Sequence, residues 1–98
     1  DEPNLKVKKI VVKTGKRLSL QLHKLRDERW FISSGSGEVQ IGNKTTDISE
    51  GDELFIEKYQ AHRVRSAGLT DLVIIEIQTG VCNEDDIIRI EDDFGRVE

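Results

Sequence analysis

The chain has 98 residues, 35% of them charged and 36% hydrophobic, which is the make-up of one folded globular domain and not of a disordered segment. Its formal net charge of −4 argues against a protein that holds nucleic acid by neutralising phosphates, and no apolar run approaches the roughly 20 residues of a membrane span. A single cysteine, Cys82, rules out an intrachain disulfide, fits a reducing, cytoplasmic setting and reads as structural. No signal-peptide pattern opens the chain, and with no Met anywhere it reads as a segment of something longer.

In chain order the pattern is short strands cut by glycine-containing turns. Val7–Lys13 predicts a first strand, with Val7 and Val11 on one face and Ile10 and Val12 on the other. Leu18–His23 alternates, placing Leu18, Leu20 and Leu22 opposite Ser19, Gln21 and His23. Arg29–Ser33 follows, with a turn over 34–37, then Glu38–Ile41, a hairpin turn at Gly42-Asn43-Lys44 and Thr45–Ile48. A turn at Glu50-Gly51-Asp52 leads to Glu53–Ile56, Ala61–Arg65 and Leu72–Gln78. Only Asn83–Asp86 reads as a helical turn, with Asn83 as its cap. Strands at this spacing predict an all-β sandwich or barrel in a single domain, residues 1–98. Charge is uneven: residues 6–17 carry six basic side chains and no acid, residues 83–98 seven acids and two arginines. These read as a solvated basic edge and an acidic tail, with a few cations available to an anionic ligand. No helix-turn-helix pattern is present, which disfavours a transcription factor.

The chemistry is concentrated between Gly15 and Gly35. Gln21 and His23 share a strand face, and Glu28 follows at the beginning of the next strand, so a hairpin would let all three converge. His62 opens a distant strand with Val64 on its face and Arg63 and Arg65 on the other. Oxygen and nitrogen donors of these kinds suit one divalent ion, zinc first, with cobalt, manganese, nickel and iron as the others, and leave positions for substrate. Trp30, in phase with Glu28 and Ile32, reads as core. Tyr59 reads as lying beside the metal mouth.

The run from Gly15 to Gly35 resembles the first cupin motif, G-x5-H-x-H-x4-E-x6-G, with Gln21 at its first histidine. Gly51 to Ser66 has the spacing of the second, G-x5-P-x-G-x2-H-x3-N, keeping Gly51 and His62. Glu57, Tyr59 and Ser66 replace the other motif residues, which predicts a turn of different shape before His62. Over about Lys6 to Arg96 the chain is similar to the type II mannose-6-phosphate isomerases, through KRLSLQLHKLRDERW and IIEIQTGVCNEDDIIRIEDDFGR. That family includes stand-alone proteins and the carboxy-terminal half of bifunctional enzymes with a guanylyltransferase domain. It has Gln at the position of Gln21.

The resemblance implies a double-stranded β-helix and a metal held by Gln21, His23, Glu28 and His62. It implies a phosphorylated hexose as substrate, with mannose 6-phosphate and fructose 6-phosphate interconverted. Arg96 would stabilise charge, and Glu76 or Asp86 would move the proton. Lys58, Arg63 and Arg89 are the candidates for the phosphate. The alternatives are a non-catalytic sugar- or nucleotide-sugar-binding cupin and a metal-dependent dioxygenase. If Gln21 and His23 point inward, Leu18, Leu20 and Leu22 point outward, and Val73, Ile75 and Ile77 oppose Ile74 and Glu76. Two such apolar strips predict a homodimer that covers them.

Overall fold

The computed structural model describes residues 5–80 and, as backbone alone, a further strand at 87–91. The strands are β1 (Leu5–Val12), β2 (Leu20–His23), β3 (Arg26–Ser34), β4 (Ser36–Ile41), β5 (Lys44–Ser49), β6 (Glu53–Ile56), β7 (His62–Ser66), β8 (Leu72–Gly80) and β9 (Ile87–Glu91). No helix occurs among the described residues, and so none long and apolar enough to cross a membrane. The strands form two antiparallel sheets, in the orders β1-β8-β3-β6 and β5-β4-β7-β2-β9.

Period-two alternation decides what lies between the sheets. β3 buries Arg26, Glu28, Trp30 and Ile32 and leaves Arg29 and Phe31 exposed. β8, rich in β-branched residues, buries Leu72, Ile74, Glu76 and Gln78. Register aligns these positions: Glu28 faces Gln78, Trp30 faces Glu76 and Ile32 faces Ile74. The inner face therefore passes from charged at Arg26 to apolar at Ile32 along one strand. The apolar end joins Val12, Ile32, Leu72 and Ile74 of the first sheet to Val39, Ile48 and Val64 of the second. Each such side chain contributes about 1.5–3 kcal/mol by leaving water.

Two turns show why glycine stands where it does. Gly42 has φ 60°, and with Asn43 it closes the tight β4–β5 hairpin in the left-handed start that such turns favour. Gly35 has φ 84°, and a Cβ there would lie 2.4 Å from the Asp71 carbonyl oxygen. No larger residue fits between β3 and the approach to β8.

The expected strands all exist, with three differences of consequence. β3 begins at Arg26 rather than Arg29, so Arg26 and Glu28 lie inside a strand and face inward. β2 and β3 do not form a hairpin: β2 pairs with β7 and β9, and β3 with β8 and β6. His23 therefore meets Glu28 across the barrel interior. Leu18 does not point outward but packs against the core, because regular pairing of β2 starts only at Leu20 and Leu18 is instead held by its N–H to the Val64 carbonyl. The helical turn at Asn83–Asp86, together with Cys82, Asp86 and Arg96, lies outside the described residues. Arg89 lies on β9, of which only the backbone is described.

Candidate metal centre

β2, β3 and β7 bring His23, Glu28 and His62 together, all three buried. Each offers a ligand atom within 4.8 Å of the others. Nε2 of His23 is 2.9 Å from Glu28 Oε2, and Nε2 of His62 is 3.8 Å from Glu28 Oε1. The imidazole rings lie 5.3 Å apart. Metal–ligand bonds of about 2.0–2.2 Å set neighbouring donors roughly 3–3.5 Å apart, so these three fit a single ion.

Proton positions sharpen the fit. The Nδ1 of His62 lies 3.1 Å from the Gln60 carbonyl, which can only accept, so Nδ1 carries the hydrogen and Nε2 presents a lone pair. Burial lowers the pKa of His62 and keeps the ring neutral, against the pull of Glu28. A bare Nε2 thus faces a carboxylate oxygen, and two lone pairs confronting each other in a buried site call for a cation between them. Gln21 is the register partner of His62 and lines the same cavity. Its amide nitrogen donates to Ser19 Oγ at 2.7 Å, which leaves the amide oxygen as its remaining donor of electrons.

Glu28 is held from several sides. Trp30 Nε1 donates to Oε1 at 3.0 Å, and Arg26 Nε and a terminal guanidinium nitrogen both reach Oε2 at 3.0 Å. Burial works against its charge, but the hydrogen bond and charge of His23 and the charge of Arg26 hold the carboxyl well below the usual carboxylate range. Arg26 also reaches His23 Nε2 at 3.3 Å.

The same cavity is lined by Lys8, Arg26, Arg63 and Glu76. Glu76 is 4% exposed and accepts a hydrogen bond from Gln78 Nε2 at 2.5 Å. Burial first, and then the charge of Glu28, push its pKa up to about 7. Of the phosphate candidates, Arg63 lines the cavity, its Nε donating to the Leu18 carbonyl at 2.9 Å, whereas Lys58 is exposed and does not. Trp30 is core and packs edge-on against His62 at 5.7 Å. Tyr59 is 67% exposed and outside the cavity lining; its part is in the turn, where its N–H bonds the His23 carbonyl at 2.7 Å. That turn keeps a left-handed residue, since Tyr59 has φ 66° where the motif has glycine.

Sequence reading had not singled out Arg26, Lys8 or Ser19. Arg26 was findable: it is two residues before Glu28, so any strand that turns Glu28 inward turns Arg26 inward too.

Two antiparallel sheets whose inner faces present these donors define a cupin, the double-stranded β-helix. A Klebsiella pneumoniae protein with a double-stranded β-helix domain superposes with TM-score 0.78 at 18% identity, covering 84% of this chain and 72% of that one. The chain belongs to the mannose-6-phosphate isomerase C-terminal family, whose model matches residues 1–92. It is 44% identical to the alginate biosynthesis protein AlgA of Pseudomonas aeruginosa, over 92% of this chain and 19% of that protein. It is 40% identical to a mannose-1-phosphate guanylyltransferase of Escherichia coli, over 96% of this chain and 20% of that protein. The chain therefore spans about one fifth of the length of these relatives.

Proposed function

We propose that this domain is a metal-dependent aldose–ketose isomerase that interconverts mannose 6-phosphate and fructose 6-phosphate in the cytoplasm. The observation that carries the reading is that His23, Glu28 and His62 converge, and that His23 and His62 line a cavity that also holds a buried carboxylate, Glu76. Gln21, His23, Glu28 and His62 are the proposed ligands, and zinc the proposed ion. A bound divalent ion would supply polarisation of the sugar's carbonyl and hydroxyl oxygens.

The chain's own residues account for the rest. Glu76 would take the proton from C2 of the aldose and return it to C1, passing through an enediol, while the proton of the O2 hydroxyl passes to O1. It is the described carboxylate in the cavity that is not needed as a ligand, and a base near neutrality serves both directions. Lys8 and Arg26 make the cavity wall cationic, which suits a phosphorylated substrate. Trp30 and Ile10 line the inner wall and exclude water from the reacting carbons. Asp86, as a second base, and Arg96, as a charge stabiliser, complete the proposal.

A second reading, a sugar-binding module without turnover, is favoured by one contact: the Arg26 guanidinium engages the Glu28 and His23 atoms that a metal would use. The test is fructose 6-phosphate formation from mannose 6-phosphate by protein reloaded separately with zinc, cobalt and manganese, with metal content measured in parallel. Turnover that His62→Ala abolishes along with bound metal supports the isomerase. Full metal occupancy without turnover supports the binding module.

A further inference from the structure

The two sheets present opposite characters to solvent. On the five-stranded sheet, register gives the outward rows Asp47–Glu38–Arg65–Arg17 and Thr45–Gln40–Arg63, which are polar throughout, with Arg65 ion-paired to Glu38. On the four-stranded sheet, the outward rows are Lys9–Ile75–Phe31–Glu53 and Val7–Ile77–Arg29–Phe55. Phe31 is 44%, Phe55 50% and Val7 63% exposed, an apolar band spread over four adjacent strands. Neither Lys9 nor Glu53, at its two ends, has an ion-pair partner among the described residues.

We propose that a second copy of this chain covers the outer face of the four-stranded sheet, with the two-fold axis parallel to the strands between β8 and β3. The charge order along the first row makes the choice. An axis in that direction reverses each row onto itself, so Lys9 meets Glu53 of the second copy and Ile75 meets Phe31. The second row sets Val7 on Phe55 and lays the Arg29 stem over Ile77. An axis across the strands instead stacks each strand on its own copy, placing basic edge on basic edge and acidic edge on acidic edge, which like charges oppose. Two twisted sheets packed face to face with nearly aligned strands are a standard arrangement. Leu20 and Leu22, the other strip expected to be covered, are half-buried on the opposite sheet and take no part.

The experiment is sedimentation equilibrium of the chain at tens of micromolar, with far-ultraviolet dichroism to establish that each variant is folded. Twice the monomer mass is expected. Phe31→Asp, at an exposed position, leaves a folded monomer. Lys9→Glu and Glu53→Lys each weaken association about tenfold, and the double exchange recovers to within about threefold of the wild type. A monomeric wild type overturns the proposal and assigns the face to another segment of a longer polypeptide. A double exchange no better than either single change overturns the axis.

Discussion

The two halves of the barrel interior are built from the same strands by the same alternation, yet they do opposite work. Along β3, Ile32 meets Ile74 in an end where the buried side chains are mostly apolar; four and six residues earlier, Glu28 and Arg26 meet His23 in an end dominated by polar and charged groups. The apolar half gains stability with each group it takes from water. The polar half loses hydration and recovers it only through contacts that satisfy all members together. One half supplies the free energy that keeps the other assembled.

That difference is open to a direct challenge, and Glu28→Ala has the largest expected effect. It leaves Arg26 buried without its counter-charge and should lower metal-free stability by about 3–5 kcal/mol in urea denaturation. Ile74→Ala, at a site with no exposure, should lower it by about 3–4 kcal/mol through cavity formation. Similar losses from the single changes hide different causes, and the double variant Arg26→Leu/Glu28→Leu separates them. With both charges gone the desolvation cost goes as well, so that variant should recover most of the loss, short of the wild type by about 1–3 kcal/mol for the Trp30 Nε1 left without its acceptor, while binding no metal. A double variant as unstable as Glu28→Ala would mean that the polar half contributes stability on its own account.

A pH series gives the next effect. Glu76 has a folded-state pKa raised to about 7 from an ordinary 4.5, so the folded chain holds its proton more tightly than the unfolded one. Stability from this group is complete below pH 4.5, declines as pH rises and levels off above about 7. The full span is about 3 kcal/mol. The stability of metal-free wild type should therefore fall relative to that of Glu76→Gln between pH 5 and pH 8, while His62, whose pKa burial lowers, gives both proteins an opposing slope below about pH 6.5. A difference between the two that does not change with pH would place the titration elsewhere in the site.

The sequence carried the fold because its signals are local. Period-two alternation in Val7–Lys13 and Leu72–Gln78, together with turn glycines, is set by neighbours along the chain. The shared face of Gln21 and His23 was legible through spacing, whatever their strand pairs with. What pairs with what was not legible: the expected β2–β3 hairpin is absent, and His23 reaches Glu28 because two sheets face each other. Arg26 was missed for a related reason. In a run of alternating charges such as Arg26-Asp27-Glu28-Arg29, solvation and burial look alike, and only the early start of β3 decides that two of the four are interior. Leu18 went wrong where the strand itself is irregular, since alternation carries no information past the end of a ladder.

The smallest expected effect tests the boundary of the polar half. The turn before His62 was expected to change shape without its motif glycine, but Tyr59 adopts φ 66°, a conformation that costs a side-chain-bearing residue about 1 kcal/mol. The residue is 67% exposed, so its ring returns little by burial, and its N–H to the His23 carbonyl fastens the turn to the ligand strand. Tyr59→Gly should therefore raise stability by about 0.5–1 kcal/mol, the relief of strain being offset in part by the greater freedom of glycine in the unfolded chain. Thermal denaturation measures that gain, and metal affinity should not change, because the hydrogen bond that holds the turn belongs to the backbone. A loss of stability would show that the Tyr59 ring makes a contact that its exposure conceals, and a loss of affinity would show that the stiffness of the turn helps to hold His62 toward Glu28.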